Sequence, residues 1–256
     1  MVDLRALVRE LPAGAGRVHV EVGDISWIRL DHPATRNALD PAMMVAFADA
    51  VEAVRGARVV ILTGEAGAFC SGGNLGAVRE HLAVAGAGAS FGAFMQQTVD
   101  RLAALDAIVI AAVEGPALGG GAELVTAADV VIAGPTARFG FVHARLGVSP
   151  GFGGGARLVR RVGPTRALHA LAFARTWSAA DALAAGLADE LHADPRRRAV
   201  ALAHELLPLP EAAVRGAKRL VLGAAPLPAH EEELRVFDAL WGGDAHLAAL
   251  DGRRRS

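Results

Sequence analysis

Three observations predict an α/β fold with a helical C-terminal region. The segments "ARVVILTG" (57–64), "AIVIAAVEG" (107–115) and "VVIAG" (130–134) are apolar without alternation, as expected of strands buried on both faces. Helical patterns separate these strands, which implies right-handed β/α crossovers. From about Gly151 the pattern is mostly helical.

Taken in order, "RVHVEV" (17–22) and "ISWIRL" (25–30) read as paired strands around a Gly-Asp turn. A helix is predicted from about Pro41, with Asp40 as its cap and proline in the first turn. "AGAFCSGGNLGAVREHLA" reads as a glycine loop running into a helix, and "SFGAFMQQTVDRLAAL" as an amphipathic helix. "PALGGGAELVTAAD" turns through three glycines into another helix. The helical part is interrupted at Gly163-Pro164, at "SAADALAAGLADEL" and at "LPLP", and no linker separates independent domains.

The 256 residues suffice for a substantial core. A net charge of −1 gives no electrostatic footprint for nucleic acid, and the basic "GRRRS" end reads as a solvated terminus. The apolar runs are too short to cross a bilayer, and the acidic N-terminal stretch lacks a secretory pattern. The single cysteine, Cys70, precludes an internal disulfide, and a cytoplasmic location is expected. Lysine occurs once, as Lys218, among 26 basic residues. There is no tyrosine to serve as a phenolic acid or oxyanion donor.

The chemistry concentrates in two loops. Strand 57–64 leads into "FCSGGN" and strand 107–114 into "ALGGGAEL", each placing glycine-rich backbone at a strand end and near a helix start. Such backbone approaches a ligand closely and leaves amides unpaired. Two amides aimed at one point form an oxyanion hole; tight helix–strand packing is the non-catalytic reading of the same glycines. "GFGGGA" (151–156) nominally fits a dinucleotide fingerprint but follows "RLGVSP" and no hydrophobic strand, so that reading fails. No P-loop, metal-ligand cluster or G-x-S-x-G elbow is present.

The stretches "HPATRNALDPAMM", "GAFCSGGNL", "EGPALGGGAELVTAADVVIA" and "LGVSPGFGGGARLVRRVG" together resemble the crotonase (enoyl-CoA hydratase/isomerase) superfamily over about residues 17–223. The resemblance implies a ββα-superhelix core over 1–195 and a helical region over 196–256 that serves trimer formation and pocket cover. It also implies assembly as trimers or dimers of trimers, and acyl-CoA thioester substrates, with coenzyme A entering as part of the substrate and no covalently bound cofactor. A carrier-protein thioester is a further possibility. By motif, the amides of Ser71 and Gly120 would form the oxyanion hole. Arg36 and Ala38 would lie near the CoA pantetheine and phosphates, beside Gly72 and Gly73, with Asn74 and Leu75 toward the adenine. Lys218 resembles a C-terminal lysine that reaches CoA phosphate, or is an ordinary exposed lysine.

One departure bears on the reaction. Hydratases of this superfamily use two carboxylates; Glu123 matches the first, and His143 stands where the second is expected. "RFGFVHARLGVSPGFGGGARLV", "FMQQTVDRL" and "LWGGDAHLAAL" further resemble the ethylmalonyl-CoA decarboxylase group. Loss of CO2 from a malonyl-type thioester needs an enolate-stabilising hole and no nucleophilic water. His143 is then the expected carboxylate-orienting donor or enolate acid, and Glu123 a proton donor or the group orienting His143. Trp241 reads as an anchor for the last helix, with a possible place in the acyl pocket. His32 and His81 read as loop and surface groups. The alternatives are an enoyl-CoA hydratase or isomerase of fatty-acid or secondary metabolism, and, from another class, a non-catalytic scaffold or RNA-binding homologue.

Overall fold

The computed structural model describes residues 5, 14–77, 79–80, 87–224 and 231–252. Strands β1 (Arg17–Glu21) and β2 (Ile25–Asp31) form the expected antiparallel hairpin. Helix α1 (Pro41–Ala53) follows, capped as predicted by Asp40, whose carboxylate accepts the Met43 amide at 2.8 Å. β3 (Val59–Gly64), α2 (Ala87–Ala103) and β4 (Ile108–Val113) come next, then the short β5 (Pro116–Leu118) and α3 (Gly120–Val125). β6 (Val130–Ala133) and β7 (Arg138–Gly140) precede α4 (Gly154–Val162) and α5 (Pro164–Ala172). The chain continues through β8 (Thr176–Ser178), α6 (Ala179–Ala185), β9 (Glu190–Leu191) and α7 (Pro195–Leu206). It closes with α8 (Glu211–Ala224), α9 (Glu231–Leu240) and α10 (Asp244–Gly252).

The main sheet has the order β1-β2-β3-β4-β6-β9 and is parallel from β2 onward. Its central strands are buried on both faces, which explains their missing alternation. Val60, Leu62, Val109 and Ala111 face the principal core with Met44 and Phe47 of α1 and Val99 and Leu102 of α2. Val59, Ile61, Ile110 and Ala112 face a second cluster closed by Ala199 and Ala203 of α7. α7, which the resemblance places beyond the core, thus covers one face of its sheet. Full burial of each Val, Leu, Ile, Met or Phe side chain contributes about 1.5–3 kcal/mol.

A second sheet, β5-β7-β8, was not anticipated. Its strands are three residues long, too short for a period-2 pattern to register. It matters because it brings Leu118, at the mouth of one glycine loop, beside Gly140, just ahead of His143. The helix expected after the "FCSGGN" loop begins with the short turn Leu75–Ala77, and Arg79 and Glu80 have π-helical backbone; His81 lies outside the described residues. His32 lies in a loop, as expected, but is buried there, with its backbone tied to Asn37 and Thr35.

Lys218 also corrects an expectation. It is not an exposed lysine: at 6% exposure its amine donates to the Ala107 carbonyl (2.7 Å) and the Asp129 carboxylate (2.6 Å). Asp129 also accepts the Val109 amide, so the ion pair pins α8 to the start of β4. Both charges are committed to the fold. Lys218→Met is expected to lose about 3 kcal/mol of stability, read as a shifted denaturation midpoint, because it strands a partly buried carboxylate.

Candidate active site

The site is built from backbone first. In the segment 69–74 the N–H groups of Phe69 and Cys70 both donate to the Pro116 carbonyl, and Cys70 returns its carbonyl to Leu118. The Ser71 N–H donates to the Arg36 carbonyl at 3.0 Å, and its hydroxyl to the Thr35 carbonyl. Gly72 donates weakly to the Cys70 sulfur, and Asn74 to the Leu39 carbonyl. Leu39 donates in turn to Gly72, completing a parallel bridge centred on Gly73. In that register the N–H of Gly73 points away from Leu39. Among the described residues it has no acceptor.

This corrects the predicted donor. Ser71 is spent within the fold, and the free amide two residues later belongs to Gly73. On the opposing loop, Gly119 donates to Gly140 at 2.7 Å and Glu123 to the Gly119 carbonyl. Gly120, the first residue of α3, has no intrahelical acceptor and no other acceptor among the described residues. A Cβ on Gly72 (φ +95°) would fall 3.1 Å from the Gly120 nitrogen and 2.8 Å from the Leu118 carbonyl. Only glycine lets the two loops meet this closely.

Gly73 and Gly120 line one cavity of about 480 Å³, together with Glu123, His143, Arg36, Ala38, Asn74 and Leu75. Ser71 and Gly72 lie on its wall as well. Arg36 is exposed at its edge with left-handed backbone (φ 54°), and the Asn74 carboxamide caps the following turn at Gly76 and Ala77. Cys70 packs inward, and burial pushes its thiol up to about 12, so it is no nucleophile.

Glu123 is 1% exposed, yet its carboxylate is fully engaged. Oε2 accepts the amides of Phe152 (2.8 Å) and Gly154 (2.9 Å); Oε1 accepts Gly151 more weakly (3.3 Å) and His143 Nε2 at 2.9 Å. Burial alone would raise its pKa; the adjacent His143 and the Gly154 and Phe152 amides more than offset that and hold it below the ordinary carboxylate value. The carboxylate can only accept, so Nε2 of His143 carries the proton between them. Nδ1 of His143 is buried and has no partner among the described residues.

The "GFGGGA" stretch therefore serves as an anion cradle for the chain's own Glu123. A Cβ on Gly154 would fall 2.4 Å from Glu123 Cγ, so that residue must be glycine. Behind the cradle stands Arg157, which the sequence reading overlooked. It is fully buried and donates to Asp100, to the Thr126 hydroxyl and to the Phe152 carbonyl. Thr126 itself donates to the Glu123 carbonyl at 2.6 Å. Asn37 was also missed: its buried side chain accepts from His32 and donates to Glu65 and Ala68, fixing the Arg36–Ala38 loop against the end of β3. An Asn in the loop "HPATRNAL", a residue type that favours turns and tolerates left-handed backbone, was the available signal.

The rest of the cavity wall is aromatic. Trp241 packs against Phe91 (5.1 Å between ring centroids) and Phe237 (4.9 Å), and Phe91 meets Phe152 edge-on. Trp241 thus anchors the C-terminal helices and lines the cavity at once.

Two facing loops with free amides, an ionised glutamate and an imidazole define a site for polarising a carbonyl. The profile of the Enoyl-CoA hydratase/isomerase family matches residues 21–238, and the chain belongs to that family, within the crotonase superfamily. It is 35% identical to the ethylmalonyl-CoA decarboxylase of Danio rerio, over 97% of this chain and 87% of that one. Identity to the ethylmalonyl-CoA decarboxylase of Homo sapiens is 30%, over 97% and 84% of the two chains. The fold is similar to the crystal structure of an enoyl-CoA hydratase/isomerase from Mycobacterium paratuberculosis, with TM-score 0.86 and 26% identity over 92% and 98% of the chains.

The depressed Glu123 pKa makes a signed prediction. Ionisation of Glu123 adds stability above the ordinary carboxylate range, and that contribution is lost as pH falls through the lower folded value. The stability gap between the wild type and Glu123→Gln is therefore expected to narrow when denaturation is repeated at about pH 3 instead of about pH 7. A gap independent of pH would contradict an ionised Glu123.

Proposed function

We propose that the protein is a carboxy-lyase acting on a short malonyl-type acyl-CoA thioester, such as ethylmalonyl- or methylmalonyl-CoA. The observation that carries this reading is the state of Glu123. Three amides and an imidazole saturate its oxygens, and among the described residues no second carboxylate lines the cavity to share and activate a water. Similarity to ethylmalonyl-CoA decarboxylases at 30–35% identity supports the same choice.

In this reading the thioester oxygen accepts the N–H groups of Gly73 and Gly120. CoA runs out past Ala38, Asn74 and Leu75 toward the guanidinium of Arg36. The bond from the α-carbon to the carboxylate breaks, CO2 leaves, and the electron pair spreads onto the thioester oxygen. The two amides stabilise the charge where it develops. When protonated, the His143–Glu123 pair passes one proton to the α-carbon and regains it from solvent. Glu123 orients His143 and balances its charge, while the aromatic wall with Trp241 holds the acyl branch.

Purified protein incubated with ethylmalonyl-, methylmalonyl- and crotonyl-CoA tests this directly. CO2 release from a malonyl substrate is expected; loss of crotonyl absorbance without CO2 from either malonyl thioester would make it a hydratase instead. Within the decarboxylase reading, Gly73→Pro, which deletes one donor, is expected to cut kcat by about 10²–10³. Ser71→Ala is expected to change kcat by no more than about twofold, because it removes only a hydroxyl bound to the Thr35 carbonyl and leaves the backbone amides in place.

A further inference from the structure

A second imidazole lies on the same cavity and takes no part in the Glu123–His143 pair. His246, in the first turn of α10, is 2% exposed and lines the cavity. Its Nδ1 accepts the Gly242 N–H at 2.9 Å, and its ring lies 4.7 Å from the Trp241 indole. With Nδ1 an acceptor, the neutral ring carries its proton on Nε2. Burial lowers its pKa, which keeps the ring neutral near pH 7. Among the described residues Nε2 has no acceptor. The Trp241 indole packs against the ring, Phe91, Phe152 and Phe237 line the same cavity, and the exposed Arg145 lies on the 142–146 turn against which α10 packs; His246 is the neutral donor among them.

We infer that His246 is a specificity-determining residue whose Nε2–H donates to the carboxylate of a carboxylated acyl thioester. The inference rests on the decarboxylase reading above and names the group that selects its substrate class. A neutral donor suits the chemistry better than a cation. The carboxylate charge departs toward the thioester oxygen as CO2 forms, so a guanidinium gripping it would stabilise the ground state more than the transition state and raise the barrier. An imidazole N–H orients the carboxylate with a weaker hold. The Gly242 contact and the Trp241 face fix the ring's direction beforehand, so little rotamer freedom is lost on binding. An uncarboxylated acyl chain of equal length finds only the aromatic wall.

The experiment compares the wild type with His246→Phe and His246→Asn in the full chain. It reads kcat and KM for ethylmalonyl-CoA and Kd for butyryl-CoA, which has the same carbon chain without the carboxylate. His246→Phe is expected to raise KM for ethylmalonyl-CoA about tenfold. Kd for butyryl-CoA should stay within about twofold, which also reports an intact pocket, and His246→Asn should recover part of the loss. Parallel shifts for both ligands would mean a packing role and overturn the inference, as would no shift in either. Wild-type protein that releases no CO2 from ethylmalonyl-CoA would refute the decarboxylase reading and this inference with it. Wild-type turnover with an indifferent His246→Phe would refute this inference alone.

Discussion

The bridge between Leu39 and Gly73 sets the chemistry of this molecule. Backbone N–H groups in a folded chain are nearly always spent, and in the segment 69–74 the spending can be followed residue by residue. Pro116 takes the amides of Phe69 and Cys70, Arg36 takes Ser71, the Cys70 sulfur takes Gly72, and Leu39 takes Asn74. The parallel register turns the Gly73 amide outward. Opposite it, the geometry of a helix start leaves Gly120 unpaired. Asn37 holds the outer loop, the second sheet holds the inner one, and the cavity lies between.

The same logic, with the sign reversed, governs the acid–base pair. Burying a carboxylate costs several kcal/mol unless hydrogen bonds replace its water. Glu123 is buried and receives amides from Phe152 and Gly154, a weaker one from Gly151, and the Nε2 proton of His143. Arg157 keeps the cradle in place by binding the Phe152 carbonyl while pairing with Asp100 on α2. The helix under the aromatic wall is thereby tied to the loop that fixes the charge state of Glu123. Fold and chemistry share these bonds.

Much of this was legible in the residues. Unalternating runs around Val59–Leu62 and Val109–Val113 exposed the doubly covered sheet, and Asp40-Pro41 exposed the helix start. The two glycine loops, Glu123 and His143 pointed to one site, and the structure brings them together. What escaped has physical reasons. Three-residue strands carry no period, so the second sheet was silent. Which amide of "CSGGN" is free depends on a bridge to Leu39, thirty-odd positions away, so Ser71 was named in place of Gly73. Lys218 is locked to Asp129 across a long sequence separation, and a lone lysine gives no hint of its partner. His246 lies in "LWGGDAHLAAL" with no local pattern to mark it, because only the folded turn carries its ring to the cavity.

Thioester polarisation can be observed without any turnover. The carbonyl stretch of a ¹³C-labelled, unreactive acyl-CoA bound to the protein, read by isotope-edited infrared difference spectroscopy, reports hydrogen bonding to that oxygen directly. Two aligned N–H donors shift the band well below its position in free solution, and Gly73→Pro should return it part of the way. A bound thioester whose carbonyl band stays at the solution frequency would contradict the account at its root.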